Sequence, residues 1–390
     1  MTSWLEINLA RLENNYRFFR NRIGSSVSLC GVVKADAYGL GAVPIAKELV
    51  RLGVDFLAVY SVAQAAVIER EGIKSSLMVL MPIHSVSEFN GMHEALADQR
   101  IHLTLHDLQQ IDVIQQLAQQ VGVPVPVHLH LDTGMSRGGL NTSQLEKALH
   151  LIAQSDMVRI AGVGTHFAGA DDDAVFSKEQ LGRLSHAMDS YRKNLPPDLL
   201  VHAANTFGVL RDHCFHQAMV RIGLGLYGYG PRLMPDLGRE SQTDLQPVVT
   251  WRSQIIHLQS YDHGTPVGYN STHLLTRPSR LGLVPVGYAD GYPLALGGKS
   301  GVVVWADHKS SFVAPVLGKV NMDQIVIDVT DFPGEIDKGT AVELISCDPN
   351  SPCALERLAE QAGSSCYEML CRLSERIPRH YDESPHETGI

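Results

Sequence analysis

The chain has 390 residues, 44% of them hydrophobic and 19% charged, which is enough apolar mass for a sizeable core and too little charge for a disordered polymer. Its 32 Lys and Arg against 42 Asp and Glu leave a formal charge of −10 with no basic run, which excludes a nucleic-acid backbone as an expected partner. The longest apolar stretches, such as residues 301–306, are too short to cross a bilayer, the first residues lack a secretory pattern, and sparse cysteines without a C-x-x-C motif fit reduced thiols in the cytoplasm.

In chain order, Trp4–Leu9 reads as a short strand and is a candidate to pair with β structure near the C-terminus. Eight Val-, Ile- and Leu-rich segments follow: Val27–Val33, Phe56–Tyr60, Leu77–Leu80, Ile101–Leu105, Val125–Leu131, Ile160–Thr165, Leu200–Ala203 and Val220–Leu224. Between them lie good helix formers, for example Ile45–Leu52, Ala63–Glu71, Gln109–Gln120, Ser143–Gln154 and Ser177–Arg192. Eight such βα units match the size of a (β/α)8 barrel, typically about 250 residues, and the gaps are long enough for parallel crossovers. Pro231–Gly238 reads as a linker. Beyond it come short alternating segments, Val248–Leu258, Arg280–Val286, Ser300–Trp305, Phe312–Val316, Gln324–Val329 and Ala341–Ile345, and one helix, roughly Ala354–Ala362, N-capped by Asn350-Ser351-Pro352. The expected fold class is α/β: an N-terminal (β/α)8 TIM-type barrel over 10–235, then a mostly-β C-terminal domain over 240–384 to which residues 1–9 are a candidate addition.

A barrel carries its chemistry at the C-terminal ends of its strands. Lys34 and Tyr38 follow the first strand, His130 and Asp132–Arg137 end the fifth, His166 follows the sixth, Asn205 and Thr206 the seventh, and Arg221, Gly223 and Leu224 mark the eighth. Each has a plain reading alone. Lys34 is a solvated strand end, Arg137 and Arg221 are surface charges or ion pairs, His166 is a satisfied rim histidine, Thr206 is a helix cap and Gly223 a turn residue. Their convergence carries the argument. Lys34–Gly41 couples a desolvating strand to a flexible glycine turn, and burial lowers a lysine pKa toward imine chemistry. A rival constellation is a barrel metal hydrolase built on His128 and His130, i and i+2 on one strand, with His166 and His202. A lysine on the first strand and Arg221 on the eighth, which repels a cation, argue against it, so no metal site is assigned.

Val33-Lys34-Ala-Asp-Ala-Tyr38-Gly39 resembles the pyridoxal-phosphate attachment segment of alanine racemases. The similarity continues in order at Asp132–Arg137, Thr165-His166-Phe167, His202–Thr206, Val220–Gly223, Val286–Gly291, Val320–Gln324 and Cys366-Tyr367-Glu368, across essentially the whole chain. The resemblance implies a fold-type III enzyme with pyridoxal 5′-phosphate in the barrel and a head-to-tail homodimer with shared sites. Lys34 would carry the cofactor. Tyr38, Asn205, Thr206, Gly223, Leu224 and Tyr367 would hold it, mainly through its phosphate. Arg221 would face the pyridine nitrogen, and because arginine cannot accept that proton, the ring nitrogen would stay neutral and transamination would be suppressed. Lys34 and, from the partner subunit, Tyr288 would be the two bases, with a positive network of His166 and Arg221 favouring the phenolate. Arg137 and the backbone of Met322 from the partner subunit would orient the substrate carboxylate, with Asp323 also in the substrate site. Two positions depart from the family: His130 stands where many members carry a carbamylated lysine, and Asn321 where the family often has cysteine. The expected function is a cytoplasmic, pyridoxal-phosphate-dependent alanine racemase that supplies D-alanine to peptidoglycan precursors. A serine or broad-specificity racemase is the alternative within that chemistry. A non-catalytic cofactor carrier, which needs no second base, is the alternative outside it.

Overall fold

A computed structural model describes residues 2–230, 232, 234, 244–305 and 311–382. Strand β1 (Ser3–Asn8) and a helix over Leu9–Ile23 precede eight parallel strands: β2 (Ser28–Val32), β3 (Phe56–Val59), β4 (Ser76–Val79), β5 (Ile101–Leu105), β6 (Val125–His130), β7 (Val158–Gly164), β8 (Leu200–His202) and β9 (Met219–Ile222). These close into a barrel in sequence order, with β9 returning to β2 so that Arg221 lies opposite Cys30. Every residue of β5 and β9 is buried, as expected where one face lines the barrel interior and the other lies under helices. The helices pack through apolar stripes; that over Ala42–Arg51 buries Ile45, Ala46 and Leu49.

The chain divides into two compact units. One, within 13–37 and 42–245, holds the barrel; the other takes 1–12, 38–41 and the chain from 246 onward. The second unit is built on β10 (Val249–Gln254), β11 (His257–Tyr261), β12 (Pro266–Val267), β13 (His273–Leu274), β14 (Ser279–Val284), β15 (Gly301–Trp305), β16 (Ser311–Leu317), β17 (Ile325–Asp328), β18 (Ala341–Ile345) and β19 (Arg379–Asp382). Nine strands form one sheet in the order β11-β14-β17-β16-β15-β18-β10-β1-β19, while β12 and β13 pair separately. Strand β1 lies antiparallel to β10, with Leu5 opposite Trp251, and parallel to β19.

Three local expectations change. Val248–Leu258 is two strands: Ile255 N–H donates to Thr340 O and Ile256 N–H to Leu283 O, so the chain switches partners there. The helix over Leu355–Ala362 starts at Ala354 without a side-chain cap, because Ser351 Oγ is spent on the Cys353 N–H in the preceding turn. A further helix, Cys366–Cys371, is too short to show a period in sequence; Ser365 Oγ caps it by accepting from Glu368 N–H. The linker reading at Pro231–Gly238 lies outside the described residues except Arg232 and Met234.

The segment after β2 is not a flexible turn. Lys34–Gly39 is a helical turn of left-handed backbone, with φ between 51° and 59° at Ala35, Asp36, Ala37 and Tyr38, and 79° at Gly39. Such a conformation costs roughly 1–2 kcal/mol per non-glycine residue, so the surroundings must enforce it. Ala37 N–H donates to Val33 O, and Asp36 Oδ1 accepts from Ala42 N–H at 2.6 Å. Gly39 O accepts from Arg379 Nε and Leu40 O from the Tyr381 hydroxyl, each at 2.9 Å. At Gly41 a Cβ would fall 1.9 Å from the Tyr381 hydroxyl oxygen, and φ is 95°. Gly41→Ala is therefore expected to destabilise the protein by roughly 2 kcal/mol or more and to lower the thermal midpoint by several degrees; an unchanged midpoint in a melting experiment would contradict this packing.

Candidate active site

The barrel mouth is shaped by loops that satisfy their own backbone. Asp132, just past β6, accepts the N–H groups of Gly134, Met135 and Ser136, each at 3.0 Å on one oxygen. Burial raises its pKa, but these three donors outweigh burial and leave the carboxyl below its ordinary range. The Thr133 hydroxyl meets the Thr165 hydroxyl at 2.7 Å, and Gln180 Nε2 donates to His166 O. The loop bearing Arg137 and the residue pair carrying His166 are thereby tied together. Arg137 is exposed and makes no ion pair or side-chain hydrogen bond among the described residues.

Arg221 is the electrostatic centre. It is 8% exposed, and among the described residues no carboxylate pairs with it. Nη2 donates to Thr165 O at 2.8 Å and Ala203 O at 3.3 Å, and lies 3.4 Å from His166 Nδ1; Nη1 donates to His202 Nδ1 at 2.5 Å. Burial pulls its pKa down to about 10, so it remains a cation at neutral pH. His166 is held well below its ordinary pKa by burial first and then by Arg221, Arg137, His130 and Lys34. That places Lys34, Arg137, His130 and Arg221 within electrostatic reach of one imidazole. These causes disfavour the protonated form of His166, so the positive charge beside it belongs to arginine. His130 is likewise pushed down to about 3, by burial and by the facing His106, whose ring centroid is 4.8 Å away.

The rival metal constellation dissolves on inspection of its ring nitrogens. His128 spends both, on His102 and His202, and His202 spends both, on His128 and Arg221. His102 belongs to no motif; its one signal in the sequence is the alternation of Ile101-His-Leu-Thr-Leu105, which puts the imidazole on the face shared with Thr104 and opposite that of the three aliphatic residues.

Asn205, not Thr206, caps the helix Thr206–Arg211, by accepting from Gly208 N–H. The Thr206 hydroxyl is free for another task and accepts from Gly225 N–H at 3.1 Å, which binds it to the helical turn Leu224–Tyr227 that Gly223 opens. In the second unit, the Tyr38 and Tyr367 rings lie 5.9 Å apart, and burial, followed by Tyr367, pushes the Tyr38 phenol above its ordinary range. Tyr288 and Ala289 donate their N–H groups to Asn321 O and Met322 O, and Arg376 bridges Asp290 and Asp323 at 2.7 and 2.8 Å. Tyr288, Met322, Asp323 and Tyr367 are all exposed, with Asp323 committed to Arg376.

Residues 7–231 match the N-terminal domain of alanine racemase and residues 248–381 its C-terminal domain. The chain belongs to the alanine racemase family. It is 32% identical to an alanine racemase of Halothermothrix orenii over 97% of this chain and 96% of that one. Among solved structures, an alanine racemase from D-cycloserine-producing Streptomyces lavendulae superposes with a TM-score of 0.87 at 27% identity, covering 98% of both chains. One from Bartonella henselae, with covalently bound pyridoxal phosphate, gives 0.83 at 27% identity over 98% of this chain and 100% of that one. The α/β barrel with a mostly-β second domain is the architecture that the resemblance implied, and no described helix is long and apolar enough to cross a membrane.

The donor set of the barrel fits pyridoxal phosphate. It offers an amine at Lys34, a hydroxyl and a helical-turn start for an anion, and a cation with no carboxylate beside it for a ring nitrogen.

The buried histidines also set an acid limit. Their folded pKa values lie below the unfolded value near 6.5, at about 4 for His102 and about 3 for His130, so the unfolded chain binds more protons as pH falls. Stability is expected to be complete above about pH 6.5 and to decline from there toward pH 4, by up to roughly 1.4 kcal/mol per pH unit for each such site. Denaturant midpoints measured between pH 7 and 4 check this, and a flat profile would contradict neutral burial.

Proposed function

We propose that the chain interconverts L- and D-alanine with pyridoxal 5′-phosphate, as a homodimer in the cytoplasm. The observation that carries this reading is Arg221, a buried cation anchored by carbonyls and an imidazole, within electrostatic reach of the histidine that Lys34 also reaches. Family membership and the covalently bound pyridoxal phosphate of the Bartonella henselae relative support it.

Bound pyridoxal phosphate supplies a conjugated electron sink that acidifies the α-hydrogen of an amino acid joined to it. The protein does the rest. Lys34 tethers the cofactor and, when released, holds the proton on one face. Tyr288 of the partner subunit serves the other face; exposed Tyr288, Met322, Leu294 and Tyr269 on the second unit support an association of copies. The Thr206 hydroxyl and the turn at Gly223 and Leu224 would hold the phosphate, with Asn205 capping the helix that Thr206 opens; the family resemblance adds Tyr38 and Tyr367 to the phosphate ligands. Arg221 would face the ring nitrogen, and because a guanidinium cannot accept a proton it would leave that nitrogen unprotonated, which favours reprotonation at the α-carbon over transamination. Arg137, which has no carboxylate partner among the described residues, would receive the substrate carboxylate, with Met322 and Asp323 contributed by the partner subunit.

Purified enzyme should be yellow, and Lys34→Ala should abolish the protein-bound absorption band; a retained band would remove Lys34 from its role. Tyr288→Phe should slow proton removal from one enantiomer by about 10²–10⁴-fold and spare the other face, read as solvent-hydrogen exchange. Mixing Lys34→Ala with Tyr288→Phe subunits should restore one intact site per heterodimer, and no rescue would sink the shared site. A chirality assay with L-alanine and L-serine tests the substrate, with faster serine turnover overturning alanine.

A further inference from the structure

Four side chains form a line through the barrel interior that the scheme above uses only at its head. Arg221 Nη1 meets His202 Nδ1, His202 Nε2 lies 3.0 Å from His128 Nδ1, and His128 Nε2 lies 3.0 Å from His102 Nδ1. A guanidinium only donates, so His202 Nδ1 must accept. A neutral imidazole that accepts at Nδ1 carries its proton on Nε2, and that proton goes to His128 Nδ1. The same step repeats to His102. One donor at the head therefore fixes the tautomer of all three rings.

Room for this line is built into the sequence. Strands β6 and β8, which carry His128 and His202, are not neighbours; β7 lies between them. Strands sit about 4.8 Å apart, so side chains on β7 at that level would block the contact. There β7 carries Gly162 and Gly164. A Cβ on Gly162 would fall 2.2 Å from His128 Nδ1, and one on Gly164 2.1 Å from the His202 ring. The line runs from the second residue of β5, near the barrel base, to the last residue of β8 at the mouth.

We propose that His102 and His128 are positioning residues for Arg221, forming a one-way hydrogen-bond chain that keeps His202 Nδ1 presented to the guanidinium and so holds it against the cofactor ring nitrogen. The chain matters because, among the described residues, Arg221 has no carboxylate to hold it. If His102 stops accepting, the fully buried His128 is left with an unpaired Nε2–H. Moving that proton to Nδ1 sets it against the His202 Nε2–H, which then shifts to Nδ1 and faces the guanidinium N–H. A loss at the barrel base thus arrives at the mouth as donor against donor.

This rests on the role proposed for Arg221, but the ring couplings below report the chain whatever the cofactor does, so the two can fail separately. In ¹⁵N-histidine-labelled holoenzyme, three neutral Nε2–H rings are expected, with scalar couplings across the hydrogen bonds from His128 to His102 and from His202 to His128. His102→Phe should mix the tautomers of His128 and His202, displace the cofactor absorption band and lower kcat about tenfold, with little change in KM. His102→Asn, whose Oδ1 can accept where Nδ1 did, should restore tautomers, band and kcat. An Nδ1–H tautomer at any of the three rings in the wild-type spectrum overturns the proposal, even if the phenylalanine variant fails to fold. Unchanged rings in His102→Phe, or an asparagine variant no better than phenylalanine, overturn it as well.

Discussion

A buried cation with no carboxylate partner among the described residues is the constraint on which the barrel unit depends. Taking a guanidinium out of water costs several kcal/mol unless its donors are met. Arg221 meets that cost with carbonyl oxygens from Thr165 and Ala203 and with the ring of His202. Those oxygens belong to the chain just past β7 and β8, where the ladders end and acceptors become available. Closure of the barrel, with β9 seated between β8 and β2, brings the guanidinium to that edge. A carboxylate would have anchored the arginine more strongly, and would also have neutralised the charge offered to a ring nitrogen.

Around that centre, rigidity comes from backbone that has little freedom left. The Asp132 carboxylate gathers three successive N–H groups and freezes the loop leading to Arg137. The left-handed turn after β2 is held by hydrogen bonds to its carbonyls and by Asp36. Chemistry that moves a proton between fixed atoms benefits from such stiffness, because small displacements of a base are expensive in rate.

Much of this is legible in the sequence. Eight apolar segments separated by helical stretches specify a parallel barrel because each crossover needs that spacing, and Lys34 and His166 fall past strand ends, with Arg221 near the end of β9, where the topology concentrates function. What escaped the sequence was governed by tertiary partners. The left-handed course of Ala35–Tyr38 goes against residue preference and is enforced from outside the segment. Within Asn350-Ser351-Pro352, which the sequence offers as an N-cap, Ser351 serves the turn before the helix, since a hydroxyl bonds whichever N–H the backbone brings near. For His128 and His202, sequence gives identity and face, enough to raise a metal site as a rival and, with Lys34 and Arg221, to set it aside, but not which ring nitrogens are already spent.

The bare strand β7 also constrains how this lineage can change. At 162 and 164 any residue larger than glycine collides with an imidazole already in place, while trimming an imidazole first leaves a void and an unmatched polar neighbour. Neither step is neutral by itself. Glycines and histidines at these positions should therefore be inherited as a block, and homologues should hold all of them or replace them together.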